Sequence, residues 1–147
     1  MAKERWWTAP TQTESGATVM VTGRDNLDKI ISKGKYIYRV TVIWDYDAEP
    51  SGYPDKATSE LMEQATDAMA EEFRKDDIAY MTGIYTGDGR REWVFYTSNM
   101  NIFNKVFNRA LENLPVLPIV VEAEEDRDWE EYREMREISY IPEDETE

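Results

Sequence analysis

Across residues 36–46 apolar and aromatic side chains recur at every second position. Tyr36, Tyr38, Val40, Val42, Trp44 and Tyr46 fall on one face, and Ile37, Arg39, Thr41, Ile43 and Asp45 on the other. That alternation predicts a strand with one face in the core. The period changes over residues 56–75, where Leu61, Ala65, Met69 and Phe73 recur every four positions. This is a helical stripe, and Asp55 or Thr58 is suited to cap it. Residues 78–86 and 91–97 again read as strands. Gly87-Asp88-Gly89-Arg90 lies between them, and Asp-Gly between strand-like runs signals a hairpin. Ile102, Phe103, Val106, Phe107, Ala110, Leu111 and Leu114 form the apolar stripe of a second helix, 99–113, capped by Ser98 or Asn99 and stopped by Pro115. Residues 116–121 then read as a last strand, with Pro118 marking an edge or a late start.

Before these elements, residues 1–16 read as an extended lead-in holding Trp6 and Trp7, and residues 17–22 as a short strand. Residues 23–35 are polar, with Gly23, Asn26 and Gly34 as turn signals. After them, residues 126–138 place Trp129, Tyr132 and Met135 three apart, a spacing that pins a helix to the body, and residues 142–147 are expected to fray. The order strand, helix, strand, strand, helix, strand predicts an α+β, ferredoxin-like split β-α-β-β-α-β sandwich, with an extra N-terminal strand and a C-terminal acidic helix. One domain, 1–147, is expected, with a core at 17–121 and an acidic segment at 122–147. Both long helices should cover one sheet face, leaving the other for the C-terminal segment, a second copy or a ligand.

Charge changes this picture. The chain of 147 residues carries 17 Lys+Arg against 31 Asp+Glu, a formal net charge of −14. Residues 122–147 hold 13 acids and three arginines, so the excess is concentrated at one end. Such a balance disfavours nucleic acid and anionic membrane surfaces and would attract a basic protein partner, while the plainer reading is an acidic surface that keeps a small protein soluble. No run of 18 apolar residues occurs, and residues 1–7 carry charges with no apolar stretch behind them, so a cytoplasmic location is expected. The chain has no His and no Cys. Imidazole general bases, thiolate nucleophiles and zinc sites of the usual ligand types are therefore excluded. No cofactor is expected, and interaction is favoured over catalysis.

The candidate sites follow from these limits. Trp129 and Tyr132, with Asp126, Asp128 and Glu131 around them, are candidates for contact with a partner, because Trp and Tyr dominate such sites. The competing reading is a helix docked on its own domain. Tyr96 and Arg39, on the sheet face opposite the helices, join the same partner-facing set. Asp45, Asp47 and Glu49 alternate at a strand end and suit a hard cation. Their spacing begins like an EF-hand loop, but Pro50 stands where that loop needs Gly and Lys56 where it needs Glu. This carboxylate cluster, with Tyr46, is the alternative: a carboxylate-based enzyme or a cation- or small-ligand-binding protein. Asp76-Asp77 is explained by a turn. Gly87-Asp88-Gly89 lacks the Lys-Ser/Thr of a phosphate loop. Arg90 and Arg91 before Trp93, Phe95 and Tyr96 lack the glycine pattern of an RNA-binding strand.

The N-terminal Trp, the strand at 36–47, the segment Gly-Asp-Gly-Arg-Arg-Glu-Trp-Val-Phe-Tyr-Thr at 87–97 and the motif Asp-Arg-Asp-Trp-Glu-Glu-Tyr at 126–132 together resemble the bacterial domain-of-unknown-function 695 family. The resemblance covers nearly the whole chain and implies no catalytic residue. In topology and acidity the chain is also loosely similar to the ferredoxin-like regulators that inhibit ribonuclease E. The reading that results is an acidic, inhibitor- or immunity-like interaction module. Its contact elements would be the uncovered sheet face and the acidic segment, and a homodimer through that face is a further alternative.

Overall fold

A computed structural model describes residues 4–142. Its elements are β1 (Trp6–Gln12), β2 (Thr18–Arg24), α1 (Asp28–Ser32), β3 (Tyr38–Asp45), α2 (Lys56–Phe73), β4 (Ala79–Gly87), β5 (Arg90–Thr97), α3 (Met100–Leu111), β6 (Ile119–Glu125) and α4 (Glu130–Ser139). The fold is α+β. Six strands form one antiparallel sheet in the order β1-β2-β4-β5-β3-β6. The connection from β2 to β3 passes two strands, β4 and β5; those from β3 to β4 and from β5 to β6 each skip one, β5 and β3 respectively.

Local chemistry sets these boundaries. The Asp55 side chain accepts the Thr58 N–H at 2.8 Å and Asn99 accepts that of Ile102 at 3.0 Å, so both long helices start on capping residues the sequence marks. The β4–β5 turn has positive φ at Asp88 (53°) and Gly89 (80°). Two such residues in a row give the type I′ hairpin turn that Asp-Gly favours.

On one face α2 and α3 close a core with β3, β4 and β5. Val40, Val42, Trp44, Trp93 and Phe95 from the sheet meet Met62, Met69, Phe73, Phe103 and Val106 from the helices. Phe103 stands at its centre, 5.0 Å from Phe73 and 5.2 Å from Phe95 between ring centroids. On the opposite face Trp7, Val21, Leu27, Tyr36, Val94 and Tyr96 pack with Trp129, Tyr132 and Met135 of the α4 region. Gly83 of β4 makes room there: a Cβ on it would stand 2.8 Å from the Met135 sulfur.

Three expectations are corrected. The lead-in at 1–16 contains a full edge strand, β1, in unbroken register with β2. Its alternation is short, and Pro10 in its middle disguises it; Trp7 and Ala9 are buried while Thr8 and Pro10 face out. The polar stretch 23–35 holds the short helix α1. The last strand begins and ends later than residues 116–121. It runs Ile119–Glu125, so Glu122, Glu124 and Glu125 are strand residues rather than the start of a tail. Backbone pairing to β3 outweighs the low strand propensity of glutamate. Of the segment expected to fray, residues 143–147 lie outside the described residues.

Candidate functional site

The second face is closed over only part of its width. α4 lies across the β1, β2 and β4 side, and beyond it a groove of ≈ 490 Å³ runs over β5, β3 and β6. Thr41, Tyr85 and Val94 lie in it, and Glu92, Glu122, Glu130, Glu131 and Glu134 surround it with one cation, Arg39.

One end of the groove is fixed by a buried network. Asp126 follows β6 directly, and its N–H bonds to Ile37 O at 2.7 Å, continuing the β3–β6 ladder by one pair. Its carboxylate accepts from Glu130 N (2.9 Å), Glu131 N (3.2 Å), Tyr96 OH (2.8 Å) and Arg39 Nη1 (3.1 Å). Asp126 thus receives two N–H groups at the start of α4, where the helix dipole favours an anion. Burial raises its pKa, but these donors outweigh burial and hold it below the ordinary aspartate value. Arg39 Nη2 pairs with Glu124. Trp129 stacks on Tyr96 with centroids 4.0 Å apart and donates from Nε1 to Tyr36 O at 2.9 Å. Its backbone sits in the left-handed region, φ 55°. That conformation costs a bulky side chain on the order of 1–3 kcal/mol, which the stacking and the hydrogen bond offset.

The groove's acids are poorly compensated. Glu131 is half-buried, and burial pushes its pKa above the ordinary value although the Tyr85 and Tyr96 hydroxyls pull it down. Burial also raises Glu92; Arg90, 3.7 Å away, lowers it, and the charges of Glu122 and Asp45 raise it further. Burial pushes the Tyr85 and Tyr96 hydroxyls far above their usual range, so both remain protonated donors.

Of the residues singled out in the sequence, the structure brings Arg39, Tyr96, Asp126, Trp129, Glu131 and Tyr132 into this one network. Tyr96, Trp129 and Tyr132 lie inside the protein, as the self-docking reading has it. Asp128 is exposed, and its carbonyl accepts from Arg133 Nε at 2.7 Å. Asp45, Asp47 and Glu49 are not gathered: Asp45 binds Arg90 Nε at 2.6 Å, and among the described residues no three acidic side chains form a metal-binding group. A smaller cavity of ≈ 230 Å³ is lined by Glu4, Arg24 and Arg74, which form ion pairs with one another. Glu4, 2.5 Å from Arg74, is held down at about 2 chiefly by that contact.

Sequence reasoning missed Glu92, Glu122, Glu130, Glu134 and Tyr85. A signal existed for two of them. Glu92 shares a period-two face with Val94 and Tyr96, and Glu122 alternates with Val120 and Glu124. The convergence of the α4 glutamates on the strands depends on where the helix docks, which spacing does not show.

Fold and site therefore define an α+β protein whose second sheet face carries an acidic groove beside a self-docked helix. The chain belongs to the family of unknown function DUF695, whose family model matches residues 5–135. No curated protein and no solved structure matches it. Neither comparison supports the likeness to ribonuclease E inhibitors. Among the described residues no helix is long and apolar enough to cross a membrane.

Proposed function

We propose that this protein is a non-enzymatic binding module that holds a basic protein segment in the groove between α4 and strands β5, β3 and β6. The observation that carries this reading is the charge balance of the groove: five glutamates face one arginine, and Arg39 is already paired with Glu124 and Asp126. Lysine or arginine side chains entering there would meet Glu122, Glu130, Glu131 and Glu134, which make no ion pair among the described residues, while Glu92 has Arg90 at 3.7 Å. Burial raises the pKa of Glu92 and Glu131, and an arriving cation would oppose that shift and favour their charged forms. The mechanism is electrostatic and steric: the acids attract a basic surface, and the groove fixes its position.

The test is fluorescence anisotropy with labelled octalysine and octaglutamate peptides, on the native protein and on the triple variant Glu122→Gln, Glu130→Gln, Glu134→Gln. Octalysine is expected to bind, weaken with added salt as screening shortens to ~3 Å at 1 M, and bind the variant at least about tenfold more weakly. Octaglutamate is expected not to bind. Equal octalysine affinity for native protein and variant would refute the proposal.

A further inference from the structure

The two outer strands of the sheet differ in what their free edges offer. In an antiparallel ladder residues alternate between bonding the neighbour and pointing away from it. The Asp126 N–H bond to Ile37 O sets that phase for β6. In the β3 register Glu124, Glu122 and Val120 therefore bond to β3, while Val121, Ala123 and Glu125 turn N–H and C=O to the free side. For β1 the bond from Asp25 N–H to Arg5 O sets the phase, and Pro10 then points outward. Proline has no N–H, so the middle of the β1 edge cannot donate. The β6 edge has no such block. Among the described residues β3 is its sole strand neighbour, and Val120 through Glu125 are all exposed.

An exposed edge with free donors and acceptors is a template for another strand. Its side chains say which strand. Glu122 and Glu124 oppose a second copy of β6, since an antiparallel pair centred on Ala123 would set Glu122 opposite Glu124 twice, and one centred on Glu122 would set that residue against itself. The same charges favour a basic strand. Val116, Val120 and Val121, well exposed at the other end, favour apolar residues there.

The geometry points to β6 as a strand-addition site for an extended basic segment, lying antiparallel to β6 with Lys or Arg opposite Glu124 and Glu122 and apolar residues opposite Val121 and Ile119. This deepens the reading above and rests on it: side chains opposite Glu122 and Glu124 share the groove's face of the sheet, and backbone bonds to Val121 and Ala123 hold the segment in register.

The probe is the acetylated heptapeptide Lys-Arg-Val-Lys-Val-Thr-Val, titrated into the full chain with residue-resolved amide exchange as readout. Expected are saturable binding with Kd below about 1 mM and slowed exchange at Val121 and Ala123. Ala123→Pro, which removes an outward N–H and spares the β3 ladder, is expected to weaken binding at least about tenfold. The peptide N-methylated at its third and fifth residues tests the same bonds without touching the protein's fold, and the same loss is expected. Peptide binding with unchanged Val121 and Ala123 exchange and no effect of methylation would overturn strand addition while leaving the acidic groove intact. No saturation by this peptide or by octalysine would overturn both. Protection of Val121 and Ala123 that grows with protein concentration alone would assign the edge to a second copy and overturn the basic segment.

Discussion

The two faces of the sheet are built from the same strands and solve different problems. Toward α2 and α3 the contacts are almost wholly apolar, with Phe73, Phe95 and Phe103 ring to ring and Trp93 donating to Thr66 Oγ1 at 2.9 Å. Toward α4 every large aromatic carries a polar handle in use: Trp7 Nε1 on Ser139 Oγ (3.0 Å), Trp129 on Tyr36 O, and Tyr132 on Arg24 O (2.5 Å). Two helices of 18 and 12 residues seal the first face; one of 10 residues leaves the β3–β6 side of the second open. The first face gives stability through area, whereas the second trades area for a directed polar seam with an acidic groove beside it.

The comparison can be broken most forcefully on the sealed face. Phe103→Ala is expected to lower the unfolding free energy by about 3–5 kcal/mol in a denaturant titration, through lost transfer energy and a cavity. On the seam, Asp126→Ala removes the acceptor of two helix N–H groups, a tyrosine and an arginine. A loss of about 2–3 kcal/mol is expected, with α4 amides exchanging faster than those of α2 and α3. Equal acceleration in all three helices would mean that the two faces do not differ as described.

Acidity sharpens the comparison further. Glu92 and Glu131 have folded pKa values above the ordinary 4.5, so their contribution to stability is full below that value and fades as pH rises through the raised values. Asp25, Asp126 and Glu4 are lowered, Glu4 to about 2, so theirs is present above the ordinary carboxylate range and lost as pH falls through the lowered values. Thermal stability is therefore expected to rise as pH falls from neutral toward the ordinary carboxylate range, and to fall as pH drops below that range. Glu92→Gln should flatten the first limb and leave the second. The smallest effect belongs to Glu122→Gln: at an exposed edge a change within about 0.5 kcal/mol is expected, while binding of a basic peptide weakens.

The sealed face was legible in the sequence because its elements are long and periodic. The stripes of residues 56–75 and 99–113, the 36–46 alternation and the Asp-Gly turn each act locally. The α4 side was legible in pieces. Trp129, Tyr132 and Met135 showed a docking stripe, and Asp126, Tyr96 and Arg39 were singled out without their shared network being visible. That network joins Arg39 to Asp126, 87 positions apart, through the β3–β6 register, and local spacing carries no such information. β1 was hidden because Pro10 is tolerated where its missing N–H faces outward. Glu122–Glu125 read as tail because charge masks a strand that pairing enforces.

Chemical-shift mapping of the full chain during titration with the basic heptapeptide tests the central claim most directly. Shifts confined to Thr41, Glu92, Glu122, Glu130 and their neighbours on β5, β3, β6 and α4, with α2 and α3 unmoved, are the expected result. Saturation with shifts on the α2–α3 side, or a spectrum unchanged at peptide excess, would contradict it.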